Sequence, residues 1–335
     1  MTPSGIVTVS ALIPGHFYLP HKDVFQDALE SGAMSGDTVP TFAFLIEHPS
    51  LGKYMFDLGL RKHAEGYPPA WNETLQELKP DCNEDVCDIL LANHIQPSEI
   101  KGVIFSHLHF DHTGDVQPFV SAEIILGAEA RSLFDKPYPD DPESLILAWP
   151  LGRSIRYLDF FSGISDSSKT NSGIRAEEDT SGSLPVHLSS SENSKASPPR
   201  LPGFDRVLDF FGDQSLYIID APGHFPGHLM VLARVANPMA SELSPSIYVL
   251  LAGDCCHNRE CYSPGTRLVS QENHDDIVVA RETVSSLIRT AKEMPNVIVV
   301  LAHEKELEEE GMPLLPTSLN DWAARRSAER LSEEK

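Results

Sequence analysis

Residues 106–115 read Ser-His-Leu-His-Phe-Asp-His-Thr-Gly-Asp and follow directly on the apolar run Val103-Ile104-Phe105. This stretch narrows the possible folds more than any other. It packs His107, His109, Asp111 and His112 into six consecutive residues at what reads as the end of a strand. His107 and His109 lie two apart, so at a strand end their side chains share a face. Asp111 and His112 come after the turn and approach from another side, a geometry that suits two cations better than one. Neutral imidazole and carboxylate are ligands that Zn(II) accepts at roughly 2.0–2.2 Å, and iron or manganese also tolerates them.

Composition removes several classes of function. The chain has 335 residues, 41% of them hydrophobic, enough for one large core or two ordinary ones. No run approaches the roughly 20 apolar residues of a membrane span, and the N-terminus has neither the basic region nor the apolar block of a secretory signal. A soluble, cytoplasmic protein without a membrane partner is therefore expected. Cys82, Cys87, Cys255, Cys256 and Cys261 are an odd count without zinc-finger spacing. Reduced, buried cysteines fit better than disulfides or metal ligands. A formal net charge of -23 repels polyanions, so nucleic acid is a poor partner. A neutral small-molecule substrate, or a small anion drawn by the metals, is expected instead.

The apolar pattern supplies the strands. Residues 6–13 form a first strand, followed by an aromatic loop with His16, Phe17, Tyr18 and His21. Residues 41–47 and 53–58 form a hairpin that ends at Asp57, a cap residue or a carboxylate that orients a metal-bound histidine. Residues 84–93 have helical spacing and stop at Asn93. The motif itself is expected in a loop after residues 103–105, where α/β scaffolds place their chemistry. A strand over 122–126 and a short helix over 128–134 follow. From 162 to 202 the chain turns to Ser, Gly, Asp, Glu and Pro, a composition that predicts a disordered insertion within a single domain spanning 1–335. Structure resumes at 204–208, and strands are read at 215–220, 229–235, 247–252 and 296–301. An amphipathic helix over 276–293 carries Ile277, Ala280, Val284, Leu287, Ile288 and Ala291 on its apolar stripe. The tail 317–335 reads as helical through 333, with Trp322 and Leu331 as packing residues.

Four apolar strands each end in a potential ligand: His107 and His109, His224, Asp254 and His303. Their strand ends must converge on one edge. At this point the chain resembles the metallo-β-lactamase-fold hydrolases, and within them the N-acyl homoserine lactonases and related lactone hydrolases. The matching motifs, in the family's order, are residues 106–112, Ala221-Pro222-Gly223-His224-Phe225-Pro226-Gly227-His228, Ala252-Gly253-Asp254 and Ala302-His303. The resemblance implies a four-layer αβ/βα sandwich of the α/β class with two Zn(II) ions at one edge of the sheets. It implies His107, His109 and His224 on one metal, Asp111, His112 and His303 on the other, and Asp254 bridging them. It also implies supporting roles for His228 and Asp57.

Two such ions lower the pKa of a shared water towards about 7, and the resulting hydroxide attacks a carbonyl. Asp111 is then the candidate that passes a proton to the leaving atom. The leading expectation is a hydrolase that opens a lactone or related cyclic ester. A lactamase or thioesterase on the same site is the alternative, since the attacking hydroxide is indifferent to whether O, S or N departs. An iron-dependent sulfur- or oxygen-transfer enzyme needs only one metal, and a structural metal domain does not need seven ligands. Where the lactonases have a tyrosine three positions after the bridging aspartate, this chain has His257, with Tyr262 further on. His257 either supplies the missing donor or is a surface loop residue. Phe17, Tyr18, Tyr67, Trp71, Phe110 and Phe225 are the candidate pocket rim.

Overall fold

The computed structural model describes residues 5–150, 152–160, 201–237 and 246–333. Except for Leu201 and Pro202, the Ser-rich stretch expected at 162–202 lies outside the described residues. The chain begins β1 (Thr8–Leu12), β2 (His16–Pro20), α1 (His21–Val24), α2 (Gln26–Ser31), β3 (Gly36–Pro40), β4 (Ala43–His48) and β5 (Gly52–Phe56). It continues through α3 (Asn72–Leu78), α4 (Val86–Ala92), β6 (Ile100–Ile104), α5 (Phe110–Thr113), β7 (Glu123–Gly127) and β8 (Ile155–Leu158). The later part holds β9 (Val207–Asp209), β10 (Leu216–Asp220), β11 (Leu229–Val235), β12 (Ile247–Leu251), α6 (Ile277–Glu293), β13 (Val297–Val300), α7 (Lys305–Glu309) and α8 (Asn320–Glu333).

Six strands form one sheet in the order β1-β4-β5-β6-β7-β8, and five form another in the order β13-β12-β11-β10-β9. The period-2 geometry of strands explains why these segments read as unbroken apolar runs, because each sheet is buried on both faces. In β4, Phe44 and Ile46 point into the space between the sheets, where they meet Ile218 of β10, Val231 of β11 and Val249 of β12. Ala43 and Leu45 point the other way, onto Val86 and Leu90 of α4 and Ile100 and Val103 of β6. The second sheet repeats the pattern: Leu216 and Ile218 face the sandwich, whereas Tyr217 and Ile219 pack with Val284, Leu287 and Ala291 of α6. This is the four-layer αβ/βα arrangement that the sequence resemblance implied. Fully buried leucines such as Leu45 and Leu287 contribute about 1.5–3 kcal/mol each.

The helix ends follow local chemistry. Asp276 caps α6 by accepting from the backbone N–H groups of Val278 and Val279, both at 3.1 Å. Asp85 and Asp88 form a reciprocal capping box on α4, and Asn93 closes it.

Three expectations need correction. The aromatic loop at 16–21 is mostly strand: β2 pairs antiparallel with β3, whose Gly-Asp-Thr-Val-Pro sequence carries little strand signal. Leu331 does not pack but is exposed, because the buried face of α8 is built from Trp322, Ala323 and Ala324. The motif after β6 is not all loop, since residues 110–113 close the short helix α5.

Candidate metal centre

Strand β6 delivers Phe105, Ser106 and His107 to the edge where β10, β12 and β13 also end. His109 then stands at the N-cap of α5, and that single turn places Asp111 and His112 beside the preceding histidines. His224 comes from the turn after β10, Asp254 from the turn after β12, and His303 from the end of β13. Gly223 lets the His224 turn press on α6: its φ is 118°, and a Cβ there would meet the Ala280 nitrogen at 2.3 Å.

Two groups of ligand atoms result. His107, His109, His224 and Asp254 offer atoms within 4.8 Å of one another, as do Asp111, His112, Asp254 and His303. Asp254 belongs to both, and all seven residues are buried except His109, which is partly so. In the first group His107 Nε2, His109 Nδ1 and His224 Nε2 lie 2.9, 3.1 and 3.1 Å apart. The centre of such a triangle is about 1.8 Å from each corner, close to the roughly 2.0–2.1 Å of a zinc–nitrogen bond. Three imidazole nitrogens crowded this closely cannot all donate to one another, and a cation among them resolves the conflict. In the second group, His303 Nε2 lies 3.1 Å from Asp111 Oδ2 and 3.3 Å from Asp254 Oδ1. Among the described residues, neither His303 Nε2 nor Asp254 Oδ1 has a hydrogen-bond partner, although both are buried. The donor set therefore fits two borderline-hard cations.

The nitrogens turned away from the cluster are held. His112 Nδ1 donates to Asp57 Oδ2 at 2.9 Å, while the Ser106 N–H and hydroxyl donate to Asp57 Oδ1 and Oδ2, each at 2.7 Å. His303 Nδ1 donates to the Pro40 carbonyl at 3.0 Å, and His107 Nδ1 lies 3.0 Å from Ser106 Oγ. His228 is not in either group. Its Nδ1 donates to the Ala221 carbonyl at 3.1 Å, and its Nε2 accepts from the Asp254 N–H at 3.0 Å, so it anchors the shared carboxylate's backbone.

Electrostatics follow the same map. Burial drives His107 and His224 well below the usual histidine range and His109 down to about 4. Burial also opposes charge on His112 and His303, but Asp254 and Asp111 outweigh it in both, and Asp57 adds to the effect on His112. His112 is held well above the ordinary range and His303 rises to about 9. Burial pushes the Asp254 carboxyl up, yet His112, His303 and His257 together hold it well below the ordinary range.

His257 is not a surface residue. It is 3% exposed, with Nε2 at 3.2 Å from Asp254 Oδ2 and 3.1 Å from Asn273 Nδ2, and its ring lies parallel to that of His303. Together with Phe17, Trp71, Phe110, Asp111 and Asn273 it lines a cleft of about 100 Å³ over the ligands. Trp71 also borders a second chamber of about 570 Å³, walled by Tyr67, Leu108, Val116, Val120, Leu145 and Trp149. The Trp71 indole donates to the Leu145 carbonyl at 2.8 Å, which fixes the partition between the two. Phe225 packs on the His109 ring at 4.4 Å. Tyr18 lines neither space, because its hydroxyl turns to the Met34 carbonyl.

Sequence reasoning missed Asn273, His274 and Glu304. Glu304 follows His303 and is fully buried against Arg259. Adjacency to a ligand was its only signal. Asn273 ends a single 3-10 turn, Gln271–Asn273, and His274 follows it, far from every motif, where spacing carries no information. Cys255 and Cys256 are buried and belong to neither ligand group, as expected.

Residues 36–237 match the family model described as the metallo-beta-lactamase superfamily. A cytochrome P450 monooxygenase of Penicillium roqueforti is 28% identical over 350 residues, covering 96% of this chain but 36% of that protein. The chain thus spans about a third of the length of the first curated relatives it matches. A gamma-lactamase of Fusarium pseudograminearum is 25% identical over 333 residues, covering 85% of this chain and 71% of that protein. A solved structure of B. thuringiensis AiiA, with N-decanoyl-L-homoserine bound at its active site, has a TM-score of 0.58 at 19% identity. It covers 94% of this chain and 99% of that one, a likeness of fold.

Proposed function

The chain belongs to the metallo-beta-lactamase superfamily, and from that premise we propose that it is a hydrolase with two Zn(II) ions that opens a lactone or related cyclic ester. The observation that carries this reading is the buried Asp254 carboxylate shared by two complete ligand groups. His107, His109 and His224 would hold one ion and Asp111, His112 and His303 the other, with Asp254 common to both groups. When bound, the ions polarise a substrate carbonyl and make water a nucleophile at neutral pH.

The chain's own residues supply the rest. Asp57, Ser106 and Pro40 orient the His112, His107 and His303 rings, so that their other nitrogens face inward. Asp111 lies on the cleft wall and passes a proton to the departing atom. His257 lines the cleft beside Asp254 and is the candidate donor to the carbonyl oxygen, through a nitrogen not taken up by Asn273 Nδ2. Phe17, Trp71 and Phe110 exclude water from the cleft. At about 100 Å³ that cleft admits only the reacting group, since small-molecule sites occupy roughly 300–1,000 Å³. The substrate's apolar body then extends towards the chamber beyond Trp71.

The likeness to a gamma-lactamase favours a second reading, a cyclic amide as substrate on the same ligands. Metal analysis together with turnover of a lactone, lactam and thioester panel tests both. Two zinc ions per chain with lactone turnover is expected, and Asp254→Ala should abolish both. One iron per chain with a visible-region spectrum refutes the dizinc reading.

A further inference from the structure

Metal-bound histidines usually pass their outer N–H to a carboxylate, a carbonyl or water, and that partner fixes tautomer and ring plane. In this protein His112 uses Asp57, His303 uses the Pro40 carbonyl and His107 has Ser106 Oγ. His224 differs. Its Nδ1 faces a second imidazole, His274 Nδ1, at 3.4 Å, with the two rings 5.1 Å apart and nearly perpendicular. Because His224 Nε2 points at His107 and His109, its proton belongs on Nδ1, and His274 Nδ1 is the acceptor.

We propose that His274 is a positioning residue for the ion held by His107, His109 and His224, acting through its hydrogen bond with His224. The proposal rests on the two-metal reading above. Three observations support it. The His274 side chain is buried, and its Nδ1 is turned onto His224 Nδ1. Its other nitrogen, Nε2, has no hydrogen-bond partner among the described residues, so the imidazole is not retained for that end. Finally, the backbone is tied down without the side chain. Asp275 N donates to the His224 carbonyl and Asp276 N to the Gly223 carbonyl, each at 3.0 Å, and Asp276 then caps α6. A substitution at His274 therefore removes one acceptor while leaving the loop in register.

The test is zinc uptake by the metal-free full chain, followed by competition with a chromophoric chelator, for wild type, His274→Leu and His274→Asn. A His303→Ala protein identifies the affinity of the ion at the other ligands. His274→Leu should weaken the ion at His107, His109 and His224 by about tenfold to hundredfold and change the other by less than about threefold. His274→Asn, whose Oδ1 can stand in for Nδ1, should recover most of the loss. The melting temperature of the metal-free variants should stay near that of wild type. Wild-type affinity at both sites in the Leu variant overturns the proposal, as does equal weakening of both ions with a lowered melting temperature. If wild type takes up only one ion, the two-metal reading fails. The Leu variant's affinity for that ion still decides the role of His274.

Discussion

Asp57→Asn is the sharpest test of how the centre is held. The residue is 1% exposed and its carboxylate accepts three hydrogen bonds, from the Ser106 N–H, the Ser106 hydroxyl and His112 Nδ1. Its φ of 59° is left-handed, a conformation asparagine adopts at least as readily as aspartate, so the backbone is not perturbed. The Ser106 N–H can only donate, so the amide oxygen must take the Oδ1 position. The amide NH₂ is then directed at Ser106 Oγ and His112 Nδ1. Serine can turn its hydrogen away, but the His112 N–H cannot donate to a donor. Its proton is driven to Nε2, the atom 3.2 Å from Asp254 Oδ2 where the ion should bind. The expected loss is about tenfold to hundredfold in affinity for that ion, or about 1.4–2.7 kcal/mol, with the His107–His109–His224 ion much less affected. The metal-free fold should lose about 1–3 kcal/mol, because one buried donor loses its acceptor. Chelator competition and urea unfolding give the two numbers, and nitrogen NMR of the imidazoles reads the tautomer. Wild-type affinity with the proton still on His112 Nδ1 would refute the reasoning.

Other perturbations probe separate parts of the molecule. His303, at about 9, has a folded pKa above its unfolded value, so its contribution to the metal-free fold is full below about pH 6.5 and fades as pH rises through 9. Zinc at these ligands must displace that proton and the one His112 holds, so affinity should rise by at least about tenfold per pH unit between 6.5 and 8.5; a flat profile in chelator titrations contradicts this. Arg259→Ala removes the guanidinium 2.5 Å from the fully buried Glu304 and leaves that carboxylate without its cation. The expected destabilisation is about 3–5 kcal/mol in urea, largely recovered by adding Glu304→Gln, and a loss below about 1 kcal/mol would show the pair to be weak. Trp71→Ala opens the partition between cleft and chamber. It should shift the kcat/KM ratio of long-chain to short-chain substrates by about tenfold with zinc content unchanged, and an unaltered ratio would remove Trp71 from the pocket.

What could be read from the chain alone was whatever is local or periodic. Residues 107–112 announce a metal site because covalent geometry keeps them together wherever the chain goes. The doubly buried strands β4, β10, β11 and β12 announce themselves because both faces must be apolar. The residues that follow β10, β12 and β13, His224, Asp254 and His303, were legible as candidate ligands because their motifs resemble a family's. The structure added what no spacing encodes. It made residues 16–20 a strand through pairing with β3, and turned Leu331 to solvent while Ala323 and Ala324 packed. It buried His257 beside Asp254, and brought Asn273 and His274 against two histidines from distant turns. The physical reason is range. A hydrogen-bonding partner fifty residues away, as His274 is from His224, is chosen by how two independently formed elements dock, here the β10–β11 turn against the N-terminus of α6. The sequence thus named the candidate ligands, while tertiary packing alone decided which other side chains surround them, which atoms hold them in place and how little room is left above them.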